Sequence, residues 1–137
     1  MNYREDKYGN KLSILGFGCM RFQRKLGNID FEKAEHQIML AIESGVNYFD
    51  TAYIYPGSEA LLGEVLEKNH VRDKVYIATK IPHYLIKSVK DMDRIFAEEL
   101  RRQGLSDCKS DFLPDHSPHL MARIRGPELR RTHFMED

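Results

Sequence analysis

Gly45-Val46-Asn47-Tyr48-Phe49-Asp50-Thr51-Ala52-Tyr53-Ile54-Tyr55 is the stretch on which the reading of this chain turns. Gly45 stands where a left-handed C-cap residue ends a helix. Val46-Asn47-Tyr48-Phe49 follows at once and reads as a short buried strand that finishes at Asp50. An acid therefore sits at a strand end, and a phenol, Tyr55, lies just past it.

Working outward, Asp30 is a good N-cap, and Phe31, Ala34, Ile38, Ala41 and Ile42 recur at helical spacing up to Gly45. Before that helix, Leu12-Ser13-Ile14-Leu15-Gly16-Phe17-Gly18 reads as a buried strand ending in glycines. Tyr8-Gly9-Asn10-Lys11 marks a turn, so a small hairpin leads into that strand. Downstream, Ser58 is expected to cap a helix with Leu61, Leu62, Val65 and Leu66 on one face. His70-Val71-Arg72-Asp73 makes a loop, and Val75-Tyr76-Ile77-Ala78 is a strand ending at Thr79-Lys80. Met92, Ile95, Phe96 and Leu100 mark a helix from about Asp91 to Gln103, with Gly104 as its stop.

Strand and helix thus alternate three times after the hairpin, which implies parallel pairing with right-handed crossovers. The period of about 30 residues suits either a (β/α)8 barrel or a doubly wound sheet. The pattern stops near residue 105. Ser106-Asp107-Cys108-Lys109-Ser110-Asp111 is polar where a fourth strand is due, and Pro114 cannot donate in a central ladder. Two parts are therefore expected: residues 1–105 as the α/β part, and residues 106–137 as a divergent, poorly structured tail. A change of reading frame near residue 105 would account for the break.

The 137 residues are 42% hydrophobic and 31% charged, as in a globular chain. No run approaches the roughly 18 apolar residues of a membrane span, and the N-terminus lacks a secretory h-region. The expected address is cytoplasmic, with no membrane partner. Lys+Arg and Asp+Glu each number 21, so charge gives no reason to expect a nucleic acid. Cys19 and Cys108 lack metal-site or CxxC spacing and read as free thiols.

In a parallel α/β architecture the C-terminal strand ends share one mouth, so Asp50, Tyr55 and Lys80 can converge there. A lysine beside an aspartate stays charged, and a cation beside a phenol favours its ionised form. Such a trio makes a phenol a usable proton donor near neutral pH. Taken singly, each residue has a plainer reading: a packing tyrosine, a solvated lysine and a loop aspartate.

The surrounding words add a resemblance. Gly45 to Tyr55 closely resembles the aldo-keto reductase signature G-x-N-x-x-D-T-A-x-x-Y, and Ser58-Glu59-Ala60-Leu61-Leu62-Gly63 is similar to that family's S-E-x-x-L-G. Leu15-Gly16-Phe17-Gly18-Cys19-Met20-Arg21-Phe22 looks like its first strand and loop, and Val75-Tyr76-Ile77-Ala78-Thr79-Lys80 like its third strand. The match runs in order from about residue 1 to residue 105. Its wording is closest to bacterial members that carry a C-terminal iron–sulfur segment, which is absent here.

That resemblance implies hydride transfer from a nicotinamide cofactor, usually NADPH, to a small aldehyde or ketone. Tyr55 would be the proton donor, with Lys80 acting on it and Asp50 holding Lys80. Gly18, Met20 and Asp50 become cofactor-binding candidates. The family's fourth catalytic residue is a histidine at the end of strand four. Asp111-Phe112-Leu113-Pro114-Asp115-His116-Ser117-Pro118 keeps the spacing of its D-[FLY]-x-x-x-H-[SN]-P, so His116 is the candidate, ahead of His119. Pro114 and Asp115 stand where the family has apolar strand residues, and a surface histidine is the competing reading. A metal site at Asp115, His116 and His119 lacks a fourth ligand.

Gly16-Phe17-Gly18-Cys19-Met20-Arg21 begins as G-x-G but lacks the third glycine and an adjoining helix, which disfavours a Rossmann phosphate site. The expected fold is α/β: the N-terminal portion of a (β/α)8 TIM barrel with an N-terminal β-hairpin, truncated after three to four βα units, since a full barrel takes about 250 residues. Activity alone would be weak or nil, and unpaired barrel edges favour self-association. The alternative is a non-catalytic half-barrel fragment or interaction module.

Overall fold

The computed structural model describes residues 1–104, 110–113 and 120–124. It opens with the expected hairpin, β1 (Tyr3–Glu5) against β2 (Lys11–Ser13), antiparallel, with Gly9 at φ +80° in the turn. Asn47 pins this hairpin to the start of a central strand. Its amide donates to the Lys11 carbonyl at 2.8 Å, and its side-chain oxygen accepts from the Ser13 N–H at 2.8 Å. The hairpin therefore closes the N-terminal end of the strands, opposite the site.

The single buried strand expected over Leu12–Gly18 is instead two pieces. Leu12 and Ser13 belong to β2, while β3 is only Phe17–Gly18. Ile14 and Leu15 between them are each 59% exposed. A short apolar run carries no periodicity that would show which residues face the core. A second hairpin, β4 (Arg24–Lys25) with β5 (Asn28–Ile29), precedes the first helix; its turn, Leu26-Gly27, has φ values of 51° and 86°.

Helix α1 (Phe31–Glu43) starts at Asp30, whose carboxylate accepts from the Lys33 N–H at 3.3 Å, and ends before Gly45 at φ +89°. Strand β6 (Tyr48–Asp50) leads to α2 (Ser58–Lys68), then a short 3-10 turn leads to β7 (Tyr76–Ile81). Helix α3 (Val89–Arg102) begins two residues before expectation, because Ser88 is its cap and accepts from the Asp91 N–H. Gly104 at φ +69° follows its end.

Ser58 does not cap α2. Left-handed Gly57 (φ 77°) holds that position, and the buried Ser58 hydroxyl donates to the Cys19 carbonyl at 2.8 Å, 2.9 Å from the Thr51 hydroxyl. The serine is spent on joining three segments.

The sheet order is β3-β6-β7, all parallel, continued by β9 (Leu120–Ile124) and β8 (Ser110–Leu113), both antiparallel to their neighbours. Within the stretch expected to be a poorly structured tail, the described residues 110–113 and 120–124 form two strands of this sheet. A hairpin can satisfy the unpaired N–H and C=O groups along β7 without a crossover helix. The polar run at 106–111 and Pro114 had argued against a central parallel strand, and no parallel fourth strand forms among the described residues.

Side chains alternate along β6 and β7. Phe49, Ile77 and Ile81 are fully buried in one core with Ile38 of α1, Leu62, Val65 and Leu66 of α2, and Ile95 and Phe96 of α3. The opposite face carries Asp50 and Lys80. Removing this much apolar surface from water is the main stabilising term. At one point the helices nearly touch: a methyl group on Gly63 would lie 2.7 Å from the Gln103 backbone, so glycine is what lets α2 approach the end of α3.

Candidate active site

Register brings the polar residues together. Gly18 pairs with Asp50 across β3 and β6, and Asp50 pairs with Ala78 across β6 and β7, two residues before Lys80. Asp50, Ala78 and Lys80 therefore share one face at the C-terminal ends of parallel strands. Beyond Asp50 the chain still tracks β7, with Thr51 N–H on the Ala78 carbonyl at 2.8 Å and Tyr53 N–H on the Lys80 carbonyl at 3.2 Å. A turn closed by Tyr55 N–H on the Ala52 carbonyl then folds Tyr55 back over the strand end.

The Lys80 ammonium donates to Asp50 Oδ1 at 2.5 Å and to the Thr51 carbonyl at 3.0 Å. It also lies 5.3 Å from the centre of the Tyr55 ring, within cation–π range. The side chains of Lys80 and Asp50 are 20% and 34% exposed, so the ion pair borders solvent. A pocket of about 120 Å³ opens there, lined by Ala52, Ile54, Tyr55, Lys80 and Pro82.

Gly18 leaves the Asp50 side of the mouth open: a methyl group built on it meets nothing within 4 Å. Met20 is 59% exposed. Cys19 between them is fully buried and a free thiol; burial, then the adjacent Asp50 carboxylate, push it up to about 12, far from a reactive thiolate. His116, His119 and Cys108 lie outside the described residues. Among the described residues no group of three His, Cys, Asp or Glu side chains could hold a metal ion, and no helix is long and apolar enough to cross a membrane.

A second polar group was not singled out by sequence. Glu59, Thr79, Glu99 and Gln103 are all at most 2% exposed, on the helix side of β7. The signal existed. Glu99 follows Ile95 by four and precedes Gln103 by four, so a carboxylate occupies the apolar face of α3.

A parallel α/β unit carrying a lysine–carboxylate pair and a tyrosine at its C-terminal strand ends is a part of the α/β class of folds. The sequence pattern of the Aldo/keto reductase family matches residues 14–111, well over half of the chain, and the protein belongs to that family. Similar proteins include an aldo-keto reductase of Mycobacterium sp., 30% identical over 86% of this chain and 37% of that protein, and one of Gibberella moniliformis, 43% identical over 47% of this chain and 21% of that protein. Among solved structures, an aldo-keto reductase from Bacillus halodurans in its holo form superposes with a TM-score of 0.62 at 28% identity, covering 76% of this chain and 37% of that one. One from Klebsiella pneumoniae in complex with NADP and acetate gives a TM-score of 0.59 at 22% identity, covering 71% and 33%. The fold is the N-terminal portion of this family's (β/α)8 barrel, and the chain spans about two fifths or less of the length of these relatives.

Proposed function

We propose that this chain carries the proton-donating half of an NAD(P)H-dependent carbonyl reduction, aldehyde or ketone to alcohol. The observation that carries the reading is the Lys80 ammonium, set between the Asp50 carboxylate and the Tyr55 ring. Family membership supplies the broad class, an oxidoreductase.

The Tyr55 hydroxyl gives its proton to the substrate's carbonyl oxygen. The Lys80 ammonium, 5.3 Å from the ring centre, offsets the negative charge left on the phenol oxygen. Asp50 and the Thr51 carbonyl fix the ammonium in place. The Ala52, Ile54 and Pro82 walls keep the reacting oxygen partly out of water, which strengthens each electrostatic contact. His116 would orient the carbonyl.

The residues present fit the nicotinamide end of a dinucleotide. Gly18 leaves open space beside Asp50, and Met20 offers an exposed apolar side chain at the same rim. Gly18, Met20 and Asp50 would hold that ring; the NADP in the Klebsiella structure supports this class of cofactor, and the family resemblance points to NADPH. When bound, such a cofactor supplies the hydride that goes to the carbonyl carbon.

A cytoplasmic site of action and association of chains along the sheet edges, β3 and β8, belong to the same proposal. A second reading, a non-catalytic module, is favoured by β9 running antiparallel to β7 where the repeating pattern would place a parallel strand.

Titration of NADPH against the purified chain, followed by cofactor fluorescence, and an aldehyde assay with and without Tyr55→Phe separate the two. Saturable binding with weak, Tyr55-dependent turnover would support the reductase. Absence of binding at high cofactor concentration would sink the reductase and leave the module.

A further inference from the structure

Thr79 turns to the helix side of β7, where two buried carboxylates meet it. Its hydroxyl oxygen lies 2.7 Å from Glu59 Oε1 and 3.1 Å from Glu99 Oε1. A hydroxyl has one proton to give and lone pairs to accept with. Glu59 is the better acceptor of that proton: burial raises its carboxyl too, but its Oε1 also receives the Gln103 amide at 3.1 Å and its Oε2 faces Arg102 at 3.5 Å, both of which favour the charged form. Glu99 then has no donor. Its Oε2 is buried and without a hydrogen-bond partner, and Glu59 and Glu98 add negative charge nearby. Ionised, Glu99 would be a buried, uncompensated charge, an arrangement that is strongly destabilising in general.

We infer that Glu99 is held as the neutral acid, donates its proton to the Thr79 hydroxyl, and is an alkali-sensitive latch seating the end of α3. The chain of donors then runs in one direction, from Glu99 to Thr79 to Glu59, and each proton is used once. Burial, followed by the Glu59 charge, pushes the Glu99 carboxyl up to about 8.

The groups facing this acid come from every element packed on it. Among the described residues they are Glu59 from α2, Thr79 from β7, Glu98, Arg102 and Gln103 from α3, and Tyr53 from the loop after β6, and Arg102 is the only cation of this set. It is shared: it pairs with Glu98 at 2.5 Å, stacks 4.2 Å from the Tyr53 ring and donates to the Tyr53 carbonyl at 3.4 Å. Tyr53 is two residues from Tyr55. Loss of the Glu99 proton to solvent therefore loosens both the end of α3 and the loop holding the candidate proton donor.

The sign follows from linkage. The folded chain keeps this proton to a higher pH than the unfolded chain, whose carboxyl has the ordinary value of 4.5. The latch is at full strength below that value and is lost as pH rises to about 8.

Melting of the full chain by urea across this window, for wild type and Glu99→Gln, tests the inference. The wild-type folding constant should fall by up to about tenfold per pH unit, and Glu99→Gln should remove most of that slope. The infrared band of a protonated carboxyl should be present in wild type near neutral pH and absent from the variant. Parallel slopes, or no such band, overturn the inference. If Glu99→Gln does not fold, Glu59→Gln decides: the slope should then end at lower pH, because the charge facing Glu99 is gone. A slope abolished by Glu59→Gln would place the proton on Glu59 and refute the latch.

Discussion

Thr79 and Lys80 are consecutive on β7, yet they serve two polar regions of opposite design. Lys80 meets one carboxylate at the rim, where water reaches both partners of the ion pair. Thr79 meets two carboxylates behind the sheet, sealed under α2 and α3, where the nearest cation is shared among several acceptors. The strand's alternation decides which side each residue serves, and solvent access decides whether charge or a proton does the work. The rim suits the proposed reaction, and the sealed cluster suits holding the helices.

That contrast can be broken at the packing beneath it. Gly63→Ala should cost the most, about 3 kcal/mol, because its methyl group would meet the Gln103 backbone at 2.7 Å and α3 would have to move away. Urea unfolding monitored by far-ultraviolet circular dichroism measures it; a loss below about 0.5 kcal/mol would mean the helices are not in close contact there.

Thr79→Val keeps the shape and removes the shared hydroxyl, leaving Glu99 without an acceptor and Glu59 short of a donor. A loss of about 2 kcal/mol is expected in the same unfolding experiment. A neutral result would show that the carboxylates do not depend on Thr79.

Lys80→Met should cost the least stability, under about 1 kcal/mol, because water can solvate the part-exposed Asp50 left behind. It should nonetheless abolish aldehyde reduction. A large fall in stability from Lys80→Met, equal to that from Thr79→Val, would erase the distinction between the two regions.

How much of this was legible beforehand depends on the kind of signal. Helix α1 was plain because a capping aspartate, a helical apolar repeat and a terminal glycine agree. The Asp50–Lys80 pair was plain because both stand at ends of short apolar runs, and parallel strands bring such ends together. Hairpin β4–β5 was not, since two-residue strands are too short to show alternation. The role of Ser58 was misread because a serine before a helical repeat signals a cap, while its use by Cys19 and Thr51 depends on distant segments. The Glu59–Glu99 meeting needs the α2–α3 crossing, which neither helix encodes alone. Antiparallel β9 pairs with a strand some forty residues earlier, in a stretch with little periodicity.

Cys19 gives the site a built-in clock. Its N–H donates to the Asp50 carbonyl at 2.8 Å and its carbonyl accepts the Ser58 hydroxyl at 2.8 Å, so the residue is stitched to both ends of the loop that carries Tyr55. With the thiol sealed, a disulfide reagent can enter only when those stitches come undone. In a Cys108→Ser variant, the pace at which it does so reads out how often the site opens in the otherwise folded chain, with no substrate or cofactor required.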